Sequence, residues 1–330
     1  MTAHCSRRRL LQAGTAFGLL AAALPALAAG RVVDETWRDD ARQRDLPVRI
    51  RWPAASGALP VVVYSHGLGG SREGGDVWGQ AWCDAGFVVV HLQHPGSDTA
   101  VLRAGLLALR AAGNAEQLIA RATDLRFALD EIGRRRLVDT NDAAGARAWR
   151  DVRSDAIGLA GHSFGAQTTQ AVAGQRFPVP ADLTDPRPKA FIALSPSTHR
   201  SNMPVQDQFG TIRRPFLAIT GSLDGDPFGA YKGGDQRARL FEGLPAGQRA
   251  LLWLAGADHN TFGGNGERRI TGRGPFAREP AVFALEPAHH ALVARISSLW
   301  WHAQLLGDAA ARAALQRPDG LERGDRWQLG

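Results

Sequence analysis

Residues 161–165 (GHSFG) place a serine between two glycines, after an apolar run (156–160) and before a run that favours a helix (166–171). A sharp turn from a strand into a helix would expose the hydroxyl of Ser163 beside a helix N-terminus, where developing negative charge is favoured. The glycines leave room where such a turn brings the backbone close together. Although a glycine-rich turn with a surface serine would fit the five residues alone, this context predicts that Ser163 is a nucleophile.

A serine nucleophile needs a base within hydrogen-bond reach. In proteins with this kind of turn, the order along the chain is serine, acid, histidine. Among the histidines that come after a candidate acid in the sequence, His259 is the one that directly follows a predicted buried strand (250–254). The histidines further downstream fall in a predicted helix (288–306), where they are expected to be solvated or packed. His259 is therefore the predicted base.

Two candidates for the acid, Asp224 and Asp226, follow another predicted strand (216–220). The acid of such a triad holds the imidazole in one tautomer and stabilises its cation. Asp224 is preferred because it lies nearer the end of the strand, although a turn-forming role before Gly225 would also explain it. Asp258 is a weaker candidate, since the side chains of adjacent residues on an extended loop tend to point apart.

A glycine-rich loop, residues 65–70 (SHGLGG), follows the predicted strand 61–64. Glycines leave backbone N–H groups accessible, so the N–H groups of Leu68 and Phe164 are the predicted donors of an oxyanion hole. His66 precedes the nucleophile and the acid, and it is expected to order the loop. A phosphate-binding loop is excluded because the segment has neither the Gly-Lys-Ser/Thr nor the G-x-G-x-x-G pattern.

The segments between these residues alternate between short apolar runs and a helical pattern. The predicted strands are 48–52, 61–64, 87–92, 156–160, 190–194, 216–220 and 250–254, and the predicted helices include 115–132 and 288–306. Buried strands that alternate with helices indicate an α/β fold with a mostly parallel central sheet and helices on both faces. The interval 195–215 is too short for a large cap domain.

Composition fits a globular protein, with 44% hydrophobic and 22% charged residues among 330. The formal net charge is +7, and it becomes 7 − 3 = +4 if a leader with three arginines is removed. The remaining basic residues are scattered, which argues against nucleic-acid binding. No zinc site is expected, because no Cys/His pair has zinc-ligand spacing, and a serine nucleophile with a histidine base implies neither a metal nor an organic cofactor. Cys83 would remain alone, which excludes an internal disulfide.

The first 28 residues resemble a signal peptide, with a charged start, a short apolar core and an Ala-x-Ala end. Arg7 and Arg8 suggest the twin-arginine export route, with an arginine-rich Sec signal as the alternative. We therefore expect cleavage near Ala28, a periplasmic or secreted protein, and no stable membrane anchor. The expected organisation is a signal peptide (1–28), one domain (29–307) and a loosely packed C-terminal tail (308–330).

Four motifs in order resemble bacterial serine esterases of the α/β-hydrolase fold that are related to platelet-activating-factor acetylhydrolase, a group often called dienelactone-hydrolase-like. They are residues 66–69 (HGLG), 161–165 (GHSFG), 221–224 (GSLD) and 256–259 (GADH), within a resemblance that covers about 33–306. The resemblance implies carboxylic-ester hydrolysis by a Ser163–Asp224–His259 triad, with Leu68 and Phe164 as oxyanion donors. True dienelactone hydrolases use a cysteine as nucleophile, whereas position 163 is serine.

The expected function is that of an exported serine hydrolase, which cleaves small-molecule or lipid-like esters of short to medium acyl chains through an acyl-enzyme. Its one expected protein partner is the export machinery. Polyester or cutinase-like hydrolysis is a weaker alternative, because polyester hydrolases commonly carry an aromatic residue where Leu68 stands. A phospholipid-type acyl hydrolase is another. A non-catalytic binding protein on the same scaffold is disfavoured because all three triad residues occur in order.

Overall fold

The computed structural model describes residues 30–138, 149–178, 182–198, 202–226, 228–229, 231–265 and 278–330. The predicted signal peptide lies outside the described residues. Within those ranges, none of the helices combines the length and the apolar character that crossing a membrane would require.

A nine-stranded sheet forms the centre of the protein, in the order β1-β2-β4-β3-β5-β6-β7-β8-β9. Strands β3 to β8 are all parallel to one another. At the edges of the sheet the pairing is antiparallel, between β1 and β2, between β2 and β4, and between β8 and β9. This confirms the predicted α/β class with a mostly parallel sheet. The strands are β1 Arg31–Asp39, β2 Arg44–Trp52, β3 Leu59–Ser65, β4 Val88–Leu92, β5 Val152–His162, β6 Ala190–Leu194, β7 Phe216–Leu223, β8 Arg249–Asp258 and β9 Arg326–Leu329.

Helices cover both faces of the sheet. Because the side chains of a strand alternate between faces, Val61 and Val63 of β3 pack into one core cluster and Val62 and Tyr64 into the other. Helices α4 to α7 contribute to the first cluster, and α1, α8 and α9 contribute to the second. The helices are α1 Asp76–Asp84, α2 Thr99–Arg103, α3 Leu106–Ala112, α4 Ala115–Leu137, α5 Phe164–Ala173, α6 Val205–Phe209, α7 Gly234–Gly243, α8 Pro280–Leu305 and α9 Ala309–Gln316.

The C-terminal segment differs from the prediction of a loosely packed tail. Asp308 caps helix α9 by accepting hydrogen bonds from two backbone N–H groups in its first turn. Ala311 and Leu315 of that helix are buried, and β9 pairs with β8 along the edge of the sheet. The few apolar side chains that anchor this segment are separated by many charged residues, so its composition did not predict that it packs against the rest of the protein.

Candidate active site

Ser163 occupies the turn between β5 and α5 with φ 55° and ψ −114°. A positive φ is a costly conformation for a residue that has a Cβ, and such strain is concentrated at functional sites. The flanking glycines are required by close packing, since a Cβ at Gly161 would overlap the carbonyl group of Gly165. A Cβ at Gly165 would in turn overlap the carbonyl group of Ser65. The predicted sharp turn is therefore present and holds the hydroxyl at the end of the sheet.

The three residues predicted as nucleophile, base and acid form one hydrogen-bonded chain. His259 Nε2 lies 2.9 Å from Ser163 Oγ, and His259 Nδ1 lies 2.7 Å from Asp224 Oδ1. A carboxylate only accepts hydrogen bonds, so Nδ1 carries the proton and Nε2 is left to accept from the serine hydroxyl. Asp224 follows β7 and His259 follows β8. The parallel strands thus bring three residues that are distant in sequence to one edge of the sheet.

Asp224 is fully buried, and each of its carboxylate oxygens has a partner. Thr220 donates its hydroxyl to Oδ2 at 2.7 Å, and Arg237 Nε lies 2.9 Å from Oδ1. Burial opposes ionisation of this carboxyl, but the charge of Arg237 and the hydrogen bonds from His259 and Thr220 outweigh it, so its pKa lies below the ordinary value. Asp224 is therefore ionised at neutral pH.

Arg237, in helix α7, is a buried cation that no sequence motif indicates. It is 1% exposed, and it donates hydrogen bonds to the carbonyl groups of Asp224, Ser195 and Pro196. Its guanidinium carbon lies 4.2 Å from the centroid of the Tyr231 ring. An isolated arginine in an ordinary amphipathic helix carries no sequence mark of such a role. The side chain balances the charge of Asp224 and holds the acid loop against helix α7.

Asp226, the alternative acid, lies elsewhere. Its carboxylate accepts hydrogen bonds from the backbone N–H of Phe228 at 2.8 Å and from that of Tyr231, which orders the loop after Asp224. Asp258 is likewise occupied, because it pairs with Arg278 at 2.8 Å and accepts from the N–H of Thr261. The structure thus brings Asp224 to His259, and the other two carboxylates stabilise neighbouring loops.

His162 supports the loop that carries His259. Its Nε2 donates a hydrogen bond to the backbone carbonyl of His259 at 3.0 Å, and the two rings lie 4.8 Å apart. Burial lowers the pKa of His162 to about 3, so the ring is neutral. In the sequence, this residue occupies only a variable position of the GHSFG turn.

The predicted oxyanion donors, Leu68 and Phe164, line the same pocket as Ser163. Among the described residues, neither of their N–H groups donates to another backbone carbonyl. Phe164 is the first residue of helix α5, so its N–H belongs to the set that a helix leaves unpaired. Both groups are available to a negatively charged oxygen near Ser163.

The pocket beside Ser163 and His259 has a volume of about 370 Å³. One wall is apolar and includes Leu68, Leu102 and Leu109. The segment 99–113 forms two short helices, α2 and α3, which are separated at Gly105 with φ 104°. Leu102 and Leu109 face the pocket. In the described ranges, no group of three or more acidic, histidine or cysteine side chains could hold a metal ion.

No family model matches the chain, and no curated protein matches it. Among solved structures, it is similar to a 2,6-dihydroxy-pseudo-oxynicotine hydrolase, with a TM-score of 0.52 and 16% sequence identity. The match covers 84% of this chain and 68% of that chain. The protein has the α/β-hydrolase fold. At this identity the likeness establishes the fold alone, because one fold hosts many chemistries.

Proposed function

We propose that this protein is a serine hydrolase that cleaves carboxylic esters through an acyl-enzyme. The observation that carries the proposal is the continuous chain from Asp224 through His259 to Ser163, which opens into a partly apolar pocket. A binding protein on the same scaffold would not need a strained serine conformation together with a buried, ionised acid behind the histidine.

The proposed reaction begins when Ser163 Oγ attacks the ester carbonyl and His259 Nε2 takes the hydroxyl proton. The carbonyl oxygen gains the negative charge and is stabilised by the N–H groups of Leu68 and Phe164. His259 then returns the proton to the departing alcohol, which leaves Ser163 acylated. Water attacks the acyl-enzyme by the same proton transfers and releases the carboxylic acid. Asp224 stabilises the imidazolium in both halves of the reaction.

Short to medium acyl chains are the proposed substrates because the apolar wall is short. Leu68, Leu102 and Leu109 can cover an acyl chain, and each CH₂ that they bury contributes about 0.8 kcal/mol. The pocket volume of about 370 Å³ limits how many such groups can be accommodated.

A lipid-like ester is the second candidate. Next to the pocket wall, Leu106 and Leu107 of helix α3 are 49% and 87% exposed. Exposed leucines beside a pocket would suit an acyl chain that extends past its mouth. This candidate predicts activity that continues to rise with chain length, whereas the first predicts an optimum.

Export is part of the proposal and rests on the N-terminal sequence. A signal peptide ending near Ala28 would deliver the enzyme to the periplasm or the medium, where extracellular esters are accessible. Membership of the group related to platelet-activating-factor acetylhydrolase is proposed on the four motifs in order.

A panel of p-nitrophenyl esters tests the proposal with protein that lacks residues 1–28. Turnover is expected for the wild-type protein and not for Ser163→Ala. A wild-type protein that is folded but turns over none of the esters, from acetyl to dodecanoyl, would contradict it.

A further inference from the structure

Arg121, in helix α4, lies fully buried beneath the glycine-rich loop that carries Leu68. Its Nη2 donates to the carbonyl of His66 and, at 3.1 Å, to Ser65 Oγ. Its Nε donates to Thr168 Oγ1 at 3.1 Å. Among the described residues, no carboxylate lies within ion-pair distance of this guanidinium, so backbone and hydroxyl oxygens satisfy it instead.

These contacts reach both halves of the proposed oxyanion site. The carbonyl of His66 belongs to the peptide before Gly67, which precedes Leu68. Thr168 lies one turn into helix α5 and donates its hydroxyl to the carbonyl of Phe164. The guanidinium carbon of Arg121 also lies 4.7 Å from the centroid of the Phe164 ring. One side chain therefore connects the loop that presents the Leu68 N–H with the helix that presents the Phe164 N–H.

We propose that Arg121 is a positioning residue that sets the separation and direction of the Leu68 and Phe164 N–H groups. The inference rests on the proposed function, since it concerns the oxyanion site of that reaction. Arginine suits the task because its planar fork fixes several donors in one geometry, whereas the lysine ammonium is a single point on a flexible stem.

A second buried series of hydrogen bonds, through Ser65, His94 and Asp124, holds Arg121 in place. Ser65 Oγ lies 3.0 Å from His94 Nε2, and His94 Nδ1 lies 3.0 Å from Asp124 Oδ2. Asp124 accepts from Nδ1, so His94 Nε2 accepts from the Ser65 hydroxyl, whose lone pair then faces Arg121. The backbone N–H of His94 also donates to His66 Nε2 at 3.0 Å. Ser65 is fully buried, so this Ser–His–Asp chain cannot meet a substrate, and it orients the guanidinium instead.

The test compares Arg121→Lys and Thr168→Val with the wild-type enzyme. Removing one oxyanion donor from a hydrolase costs roughly 10²- to 10³-fold in kcat. We expect Arg121→Lys to lower kcat by about 10²-fold and to change KM by less than about threefold, because ground-state binding does not use the oxyanion site. Thr168→Val removes one contact and should lower kcat by about fivefold, in the same direction.

Inhibition by a trifluoromethyl ketone supplies a readout that a merely structural role would not move. Ser163 Oγ adds to the carbonyl carbon of the ketone, and the alkoxide that forms lies in the oxyanion site. Its Ki should rise in each variant by the same factor by which kcat/KM falls. The matched control is Arg126→Lys, since Arg126 lies on the same helix but donates to the carbonyls of Asp182 and Thr184 at the surface.

Three outcomes separate this proposal from the proposed function. If wild-type protein hydrolyses esters and folded Arg121→Lys keeps its kcat and Ki, the positioning role is overturned. If Arg121→Lys does not fold, Thr168→Val decides, and an unchanged kcat and Ki in that variant overturn the role. If the wild-type protein neither turns over esters nor binds the ketone, the proposed function fails first.

Discussion

Replacing Asp224 by asparagine would remove the charge of the acid while almost preserving its shape. In the wild-type protein, Oδ1 lies 2.7 Å from His259 Nδ1 and 2.9 Å from Arg237 Nε, whereas Oδ2 accepts from the hydroxyl of Thr220. Two N–H donors converge on Oδ1, so the amide oxygen is expected at that position. The amide NH₂ would then face Thr220, whose hydroxyl can turn to accept. The hydrogen-bond geometry should be preserved, whereas the negative charge of the carboxylate would be lost.

The magnitude follows from the charges that face His259. Arg237 Nη2 lies 3.3 Å from His259 Nδ1, and because Nδ1 carries a proton, this approach is a close contact between two donors. In the wild-type protein, the carboxylate of Asp224, 2.7 Å from Nδ1, attracts the imidazolium that forms when Ser163 loses its proton, and it offsets the repulsion by Arg237. Two unit charges at 2.7 Å interact by about 6 kcal/mol at an effective dielectric constant of about 20, and Asp224→Asn loses this attraction. At 1.36 kcal/mol per tenfold, the expected loss in kcat is about 10⁴-fold.

The assay is hydrolysis of p-nitrophenyl butyrate by wild-type, Asp224→Asn and Asp226→Asn proteins of equal thermal stability. Asp226→Asn is the matched control and should cost less than about tenfold, because its carboxylate binds backbone N–H groups of its own loop. Adding Arg237→Gln to the Asp224→Asn variant should recover part of the loss, since the repelling charge is removed. A greater loss for Asp226→Asn, or a loss below tenfold for Asp224→Asn, would show that Asp224 is not the acid that supports His259.

Three further predictions concern substrate, export and stability. The value of kcat/KM should rise from acetyl to butyryl or hexanoyl p-nitrophenyl esters and then fall, and a continued rise to dodecanoyl would show a long channel or an interfacial lipase instead. Changing both Arg7 and Arg8 to lysine should leave precursor in the cytoplasm on fractionation, whereas an equal periplasmic yield would favour the Sec route. Burial lowers the pKa of His91 and His162 to about 3 and that of His94 to about 4. Each of these histidines takes up a proton near pH 6.5 only when unfolded, so the free energy of unfolding should fall below that pH by up to ~1.4 kcal/mol per unit for each. Urea denaturation near pH 7 and near pH 5 measures the loss, and equal stability at both would contradict the buried, neutral assignment.

The parts of the site that follow from local sequence were predictable. A glycine-flanked serine between a strand and a helix, and a histidine after a buried strand, are patterns within about ten residues. Ser163, His259 and the preference for Asp224 could therefore be read directly, and the structure brings these three side chains together. The mostly parallel sheet was predictable for the same reason, because strands buried on both faces are continuous apolar runs.

The residues that hold the site in place were not predictable, because their roles depend on contacts across the fold. Arg237 contacts Asp224 from another element, and Arg121 contacts residues 24 to 56 positions away. In helix α4, Ile119 is 42% exposed while Arg121 and Asp124 are fully buried, so the spacing of apolar residues alone does not identify the buried face. A polar side chain inside an apolar stripe was the available signal. The edge strands β1 and β9 were missed because they are largely exposed: only Trp37 and Asp39 are buried in β1 and no residue is buried in β9, which leaves a weak apolar pattern.

Active-site labelling shows which serine of this protein is the nucleophile. Protein lacking residues 1–28 would be treated with a fluorophosphonate, digested and analysed by mass spectrometry, in parallel with Ser163→Ala. We expect one stoichiometric adduct on Ser163, complete loss of ester turnover on labelling, and no adduct in Ser163→Ala, whose kcat should fall by roughly 10⁴- to 10⁶-fold with the fold intact. Substantial turnover by well-folded Ser163→Ala, or an adduct on a different serine, would show that Ser163 is not the nucleophile.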